Sequence, residues 1–206
     1  MTITLYQHPL SGHSHRVRLM LSLLDLETNI VDVDLARGAH KEPDFLTKNP
    51  LGQFPVLEDG EITLADSNAI LVYLASKHDQ TGTWYPNDPI VRAKVQKYLS
   101  IAAGQIASGP AAARLVNVFG ASLDHARAKD IASAVLAILD KHLAENTWLA
   151  CDHATIADVA NYAYIAHAPE GDINLTPYAN ILRWLNRIEN LPGFTPMTAT
   201  PVGLAA

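Results

Sequence analysis

Between residues 2 and 78, short apolar runs with strand character alternate with stripes at helical spacing. Ile3-Thr4-Leu5-Tyr6 reads as a short strand. Arg16 to Leu26 reads as a helix with Val17, Met20, Leu21 and Leu24 on one stripe. Asn29 to Val33 is again strand-like, and Pro43 to Thr47 is a short helical turn. Val56-Leu57-Glu58 and Ile62-Thr63-Leu64 flank Asp59-Gly60, which predicts a hairpin. Ser67 to His78 is helical, with Ile70, Leu71 and Leu74 facing inward. The predicted order is βαβαββα, in which helices bury both apolar faces of a small mixed sheet.

Asp79 to Pro89 collects Asp, Thr, Gly, Asn and Pro and reads as a linker. Beyond it every periodic segment is helical. These segments are Ile90 to Ile106, Ile131 to Leu143, Ile156 to His167 and Tyr178 to Asn190. The stripe of the second runs through Ile131, Val135, Ile138, Leu139 and Leu143. The pattern predicts an α/β domain over 1–79, a linker over 80–89 and an all-helical domain over 90–206.

The 206 residues, nearly half of them apolar, suffice for two small cores. A net charge of -6 without a dense Lys/Arg run argues against nucleic-acid binding. No apolar run has the length of a membrane span, and the N-terminus lacks a signal peptide's basic start. The lone cysteine, Cys151, excludes an internal disulfide and predicts a reducing, cytoplasmic setting.

Candidate chemistry gathers in three places. The first is Asn49-Pro50-Leu51-Gly52-Gln53-Phe54-Pro55-Val56-Leu57. A proline opening a strand cannot donate to the sheet ladder, and a cis Phe54-Pro55 bond is one reason for it to stand there. The backbone N–H and C=O of Phe54 are then available to a ligand. The second is Asp66-Ser67, a carboxylate and a hydroxyl where a helix exposes unpaired N–H groups. Together they suit a short peptide-like ligand bearing an amine and a carboxylate. The third is Ser11-Gly12-His13-Ser14-His15-Arg16-Val17-Arg18, following the first strand.

With these three segments in this order, the chain resembles the cytosolic glutathione S-transferase family, in its serine-type bacterial, phi, theta and zeta-like classes. The resemblance covers nearly the whole chain. It implies a thioredoxin-like N-terminal domain, a helical C-terminal domain, and a thiol activated for attack on small hydrophobic electrophiles. Glutathione would be the co-substrate, with no metal, and a homodimer the expected assembly. Ser11 matches the position of the catalytic hydroxyl, Ser14 competes for it, and plain helix capping would explain either. Lowering a thiol from about 8.5 to below neutral takes roughly 2 to 3 kcal/mol. A charge-assisted hydrogen bond supplies about 1.5 to 3 kcal/mol and a helix N-terminus about 0.3 to 1 kcal/mol.

The resemblance further implies that Phe54 pairs with the cysteinyl part of glutathione, Asp66 with the γ-glutamyl amine and Ser67 with its carboxylate. Gln53, His40 and Lys41 fall where the family meets the glycyl end, with Lys48 a weaker candidate. Leu10, His13, Gln105, Ile106 and Arg114 would wall the electrophile pocket. Leu51 takes the place of an aromatic dimer key. Two rival functions share these features: a glutathione-dependent cis-trans isomerase of the maleylacetoacetate type, and a non-catalytic interaction module. Thr155-Ile156-Ala157-Asp158 has the form of a capping box, a structural feature. Cys151 reads as a small buried residue.

Overall fold

The computed structural model describes residues 2–205. It divides into two compact units. The first runs to Thr81 and also takes in Pro192–Thr198, and the second spans Gly82–Leu191 and the residues from Ala199 on.

In the first unit, β1 (Ile3–Gln7) and β2 (Thr28–Asp32) pair in parallel around α1 (Gly12–Leu23). After α2 (Pro43–Lys48), β3 (Val56–Asp59) pairs antiparallel with β1, and β4 (Ile62–Ala65) antiparallel with β3. The sheet order is β2-β1-β3-β4, and α3 (Ser67–His78) closes the unit. Because strand side chains alternate faces, β1 splits its apolar residues. Leu5 is fully buried, whereas Tyr6 packs edge-on to Phe45 of α2 in a cluster with Val33 and Val56. The predicted stripes are buried at Val17, Met20 and Leu21 of α1 and at Ile70, Leu71 and Leu74 of α3, and these two helices pack together. The helix predicted from Arg16 starts earlier, at Gly12, because Ser11 caps it. Residues 192–198 return to α1: His15 Nε2 donates to the Thr195 carbonyl at 2.8 Å and Ser22 Oγ to that of Gly193 at 2.7 Å. No local pattern pointed to that return.

The second unit contains α4 (Pro89–Ile101), α5 (Ala112–Phe119), α6 (His125–Glu145), α7 (Ile156–Ala166) and α8 (Ala179–Glu189). The helix predicted to end at Ile106 does not end there. A π-helical segment, Ala102–Ala111, carries it past Pro110 into α5. The wider turn accommodates a proline that cannot donate to a regular ladder. Gly109 lets α6 approach: a Cβ there would lie 2.9 Å from the Ala132 backbone nitrogen. The buried stripe of α6 also differs from the predicted one. Ile138 is 67% exposed, and Ala132 and Leu136 fill the interior positions instead.

The capping box at α7 is formed. Thr155 Oγ1 accepts from the Ala157 N–H at 3.2 Å, and Asp158 Oδ2 accepts from the Thr155 N–H at 2.9 Å. Asp158 Oδ1 also takes the Leu149 N–H at 3.0 Å and the Trp184 indole N–H at 2.9 Å. Burial pushes this carboxyl above its ordinary range, against the pull of those donors. Asp158 therefore joins a turn, α7 and α8, where a cap alone would serve one helix. Each buried donor left unpaired costs about 1–3 kcal/mol, so Asp158→Ala is expected to lose at least ~3 kcal/mol. Thr155→Ala is expected to lose only about 0.5–2 kcal/mol. Urea denaturation of both variants measures this, and equal losses would reduce Asp158 to a simple cap.

Candidate functional site

The loop between α2 and β3 is built on Asn49. Its buried side chain donates from Nδ2 to the Gln53 carbonyl at 2.7 Å and accepts the Leu51 N–H at Oδ1, 3.1 Å. Gly52 follows at φ +59, where a Cβ would also stand 2.7 Å from the His40 carbonyl oxygen. Glycine is thus required there for both conformation and space. Lys41 crosses the turn, its Nζ 3.1 Å from the Leu51 carbonyl and 3.3 Å from that of Gly52. The loop ends at a cis Phe54-Pro55 bond. Among the described residues, neither the N–H nor the C=O of Phe54 has a hydrogen-bond partner. Its ring is stacked on His8 at 5.7 Å and meets the edge of His40 at 6.3 Å.

At the start of α3, Asp66 is the N-cap and accepts the Ala69 N–H at 2.8 Å. Its backbone has φ +70 and ψ 118, a strained conformation for a residue with a Cβ. Ser67 is buried, and its Oγ accepts from Arg16 Nη1 at 2.8 Å. Arg16, itself buried in α1, also donates to Asn68 Oδ1 at 2.9 Å. His13 Nδ1 stands 3.2 Å from Ser67 Oγ. Burial, followed by the charge of Arg16, pushes the His13 pKa down to about 3, so its imidazole is neutral at physiological pH.

At the start of α1 the two candidate hydroxyls differ. Ser11 is the N-cap: its Oγ accepts the Ser14 N–H at 3.2 Å, and the side chain is partly exposed. Ser14 has no exposed surface, and its Oγ accepts the His8 N–H at 3.3 Å. A cleft of about 330 Å³ is lined by His13, Gln53, Phe54, Pro55, Asp66 and Ser67. A hollow of similar size, about 350 Å³, lies around Arg18, Asp25 and Ile30. It joins none of the three motif segments except through Arg18, so the chemistry points to the first.

Of the sequence-predicted residues, Gln53, Phe54, Asp66, Ser67 and His13 share this cleft. His40 flanks it through Phe54, and Lys41 spends its ammonium on loop carbonyls. Lys48 is paired with Glu58 and lies 4.9 Å from the Tyr6 ring centre, so it belongs to the sheet. Leu10 is partly exposed and Gln105 exposed. Ile106 and Arg114, expected to wall the electrophile pocket, lie in the helical unit. Ile106 has no exposed surface, and Arg114, 1% exposed, donates from Nε to Glu170 Oε2 at 2.6 Å inside the helical unit. A buried guanidinium held by a carboxylate stays where it is. Arg16 and Asn49 entered the sequence reading only as spacing markers. Arg16 left one signal, a charge set among the inward residues Val17, Leu19 and Met20.

Comparison with known proteins agrees with this architecture. The glutathione S-transferase N-terminal domain matches residues 1–76 and its C-terminal domain residues 122–192. Glutathione S-transferase 3 of Zea mays is 35% identical, over 96% of this chain and 93% of that protein. The structure of a glutathione S-transferase from Pseudomonas fluorescens superposes with a TM-score of 0.90 at 30% identity, covering 96% of this chain and 99% of that one. A glutathione transferase homolog from Drosophila mojavensis, solved with bound glutathione, gives a TM-score of 0.85 at 27% identity, covering 93% of this chain and 89% of that one. With both domain models matched and a relative 35% identical over nearly the whole chain, the chain belongs to the glutathione S-transferase family.

Proposed function

We propose that this protein is a glutathione transferase that binds glutathione in the cleft of its first unit and activates the thiol with Ser11. The observation that carries the reading is Phe54: a backbone N–H and C=O without partners, in a cleft lined by Asp66 and Ser67. A peptide ligand satisfies both groups as an added strand would. The start of α3 suits an anion, with Ser67 and the N–H groups beside it. Asp66 supplies opposite charge to an amine while one of its oxygens stays on the Ala69 N–H. Its strained backbone supports a binding role for this corner. Gln53, with His40 beside Phe54, would meet the glycyl end, while Lys41 holds the loop through its carbonyls.

Ser11 Oγ accepts the Ser14 N–H, which orients the hydroxyl and leaves its own proton for a thiolate. The glutathione thiol would give its proton to water. The sulfur would then attack the electrophile, forming a carbon–sulfur bond and displacing the leaving group or adding across a double bond. Neutral His13 puts no second charge beside Ser67. Leu10 and His13 would meet the second substrate, a small apolar electrophile. Homodimeric assembly, a cytoplasmic location and a detoxifying role complete the reading. Leu51, 71% exposed at the loop tip, supports the first, and the single cysteine supports the second. Among the described residues, no helix is long and apolar enough to cross a membrane.

Three outcomes test this. Ser11→Ala should weaken the ultraviolet thiolate band of bound glutathione and lower kcat/KM about 10- to 100-fold, the worth of one charge-assisted hydrogen bond. Ser14→Ala should leave the band in place, and the opposite pattern would move the assignment to Ser14. Ser67→Ala should elute early from a glutathione-affinity column that retains the parent, and no retention of the parent itself would sink the enzyme reading. His13 gives a pH test. Unfolded, it takes a proton near 6.5, but folded only near 3, so its share of stability is present above 6.5 and lost as pH falls toward 3. His13→Asn should therefore show a shallower stability loss across that window in urea titrations, and an unchanged slope would contradict the shifted histidine.

A further inference from the structure

In the helical unit, the turn before α7 gathers three metal-ligating side chains from consecutive residues, Cys151, Asp152 and His153. Their ligand atoms all lie within 4.8 Å of one another. Cys151 Sγ is 3.5 Å from His153 Nε2, and that nitrogen is 3.9 Å from Asp152 Oδ1. The ring is held from its other side, with Nδ1 3.1 Å from the Ala154 carbonyl oxygen. A carbonyl only accepts, so Nδ1 carries the proton and Nε2 presents its lone pair toward the sulfur. This is the arrangement by which a backbone carbonyl fixes the tautomer of a metal-bound imidazole.

The sulfur–nitrogen separation fits a tetrahedral ion. Bonds of about 2.3 Å to sulfur and 2.0–2.1 Å to nitrogen put those two ligands about 3.5 Å apart. An oxygen ligand would lie about 3.4 Å from the nitrogen, so Asp152 would have to close by roughly half an ångström. Its carboxylate is 95% exposed and free to do so. The ends of the turn are pinned, since Leu149 and Thr155 both donate their N–H groups to Asp158. Without an ion the thiol proton has its own acceptor, the His153 carbonyl at 3.5 Å, so the inward-facing Nε2 is not needed to satisfy it.

We propose that Cys151, Asp152 and His153 form a site for a thiophilic divalent cation of the zinc type, with a fourth position open to water. On binding, the thiol releases its proton to solvent and the sulfur ligates as thiolate. Soft sulfur with imidazole selects zinc-like ions over magnesium or calcium.

Titration of the tag-free full chain with Co(II), a spectroscopic stand-in for zinc, tests the site. Cys151 is the chain's one cysteine, so a thiolate-to-cobalt absorption band reports on this turn alone. The band should saturate at one cobalt per chain and vanish on adding Zn(II). Cys151→Ser should abolish it, His153→Gln should weaken cobalt affinity at least tenfold, and Asp152→Asn should weaken it severalfold, all with parental circular dichroism. No band at saturating cobalt, or parental affinity in His153→Gln, would overturn the proposal.

Discussion

Every helix begins with N–H groups that have no partner inside the helix, and burying such an end requires acceptors from elsewhere. That constraint organises much of this molecule. Ser11, Asp66 and Thr155 each solve it with a side-chain oxygen. At α7 the solution is purely structural, because Asp158 spends its oxygens on donors that tie three segments together. At α1 and α3 the same solution leaves something over. Ser11 still has a proton to donate, and Asp66, which lines the cleft, has a second oxygen beyond the one on Ala69. Capping and the proposed ligand binding are therefore two uses of one local geometry.

The cleft also depends on a buried charge. Arg16 reaches from α1 to the start of α3 and fixes Ser67 and Asn68. Its charge, together with burial, keeps His13 neutral. The two helices that carry the candidate thiol-activating and anion-binding hydroxyls are thus linked by one guanidinium. On the opposite wall, Asn49 and Gly52 shape the loop so that the Phe54 backbone ends without a partner. A truncation at either brace would disturb the site without touching any ligand.

Much of the first unit was legible because its signals are local. Alternation marks the strands, Asp59-Gly60 the hairpin, and the stripes of Val17, Met20 and Leu21 and of Ile70, Leu71 and Leu74 the buried helix faces. The second unit was less so. The helical pattern predicted to stop at Ile106 continues, because a π-helical turn absorbs Pro110 and Gly109 admits α6. Ile138 suits an inward position by spacing, but the helix faces its partners through Ala132 and Leu136. Helical spacing defines a stripe and leaves open which edge of it a neighbour covers.

By itself the sequence determined the order of elements in the first unit, the helical character of the second, and the residue types at the Ser11, Phe54 and Asp66-Ser67 corners. Those are consequences of periodicity, turn chemistry and capping, which act over a few residues. Only the tertiary structure decided the contacts between distant parts. It committed Arg114 to Glu170, Lys41 to the loop carbonyls and Lys48 to Glu58, and it buried Ser14 while leaving Ser11 accessible. A cation or hydroxyl has the same identity in every context, and its function is fixed by which partner the fold brings within hydrogen-bond reach.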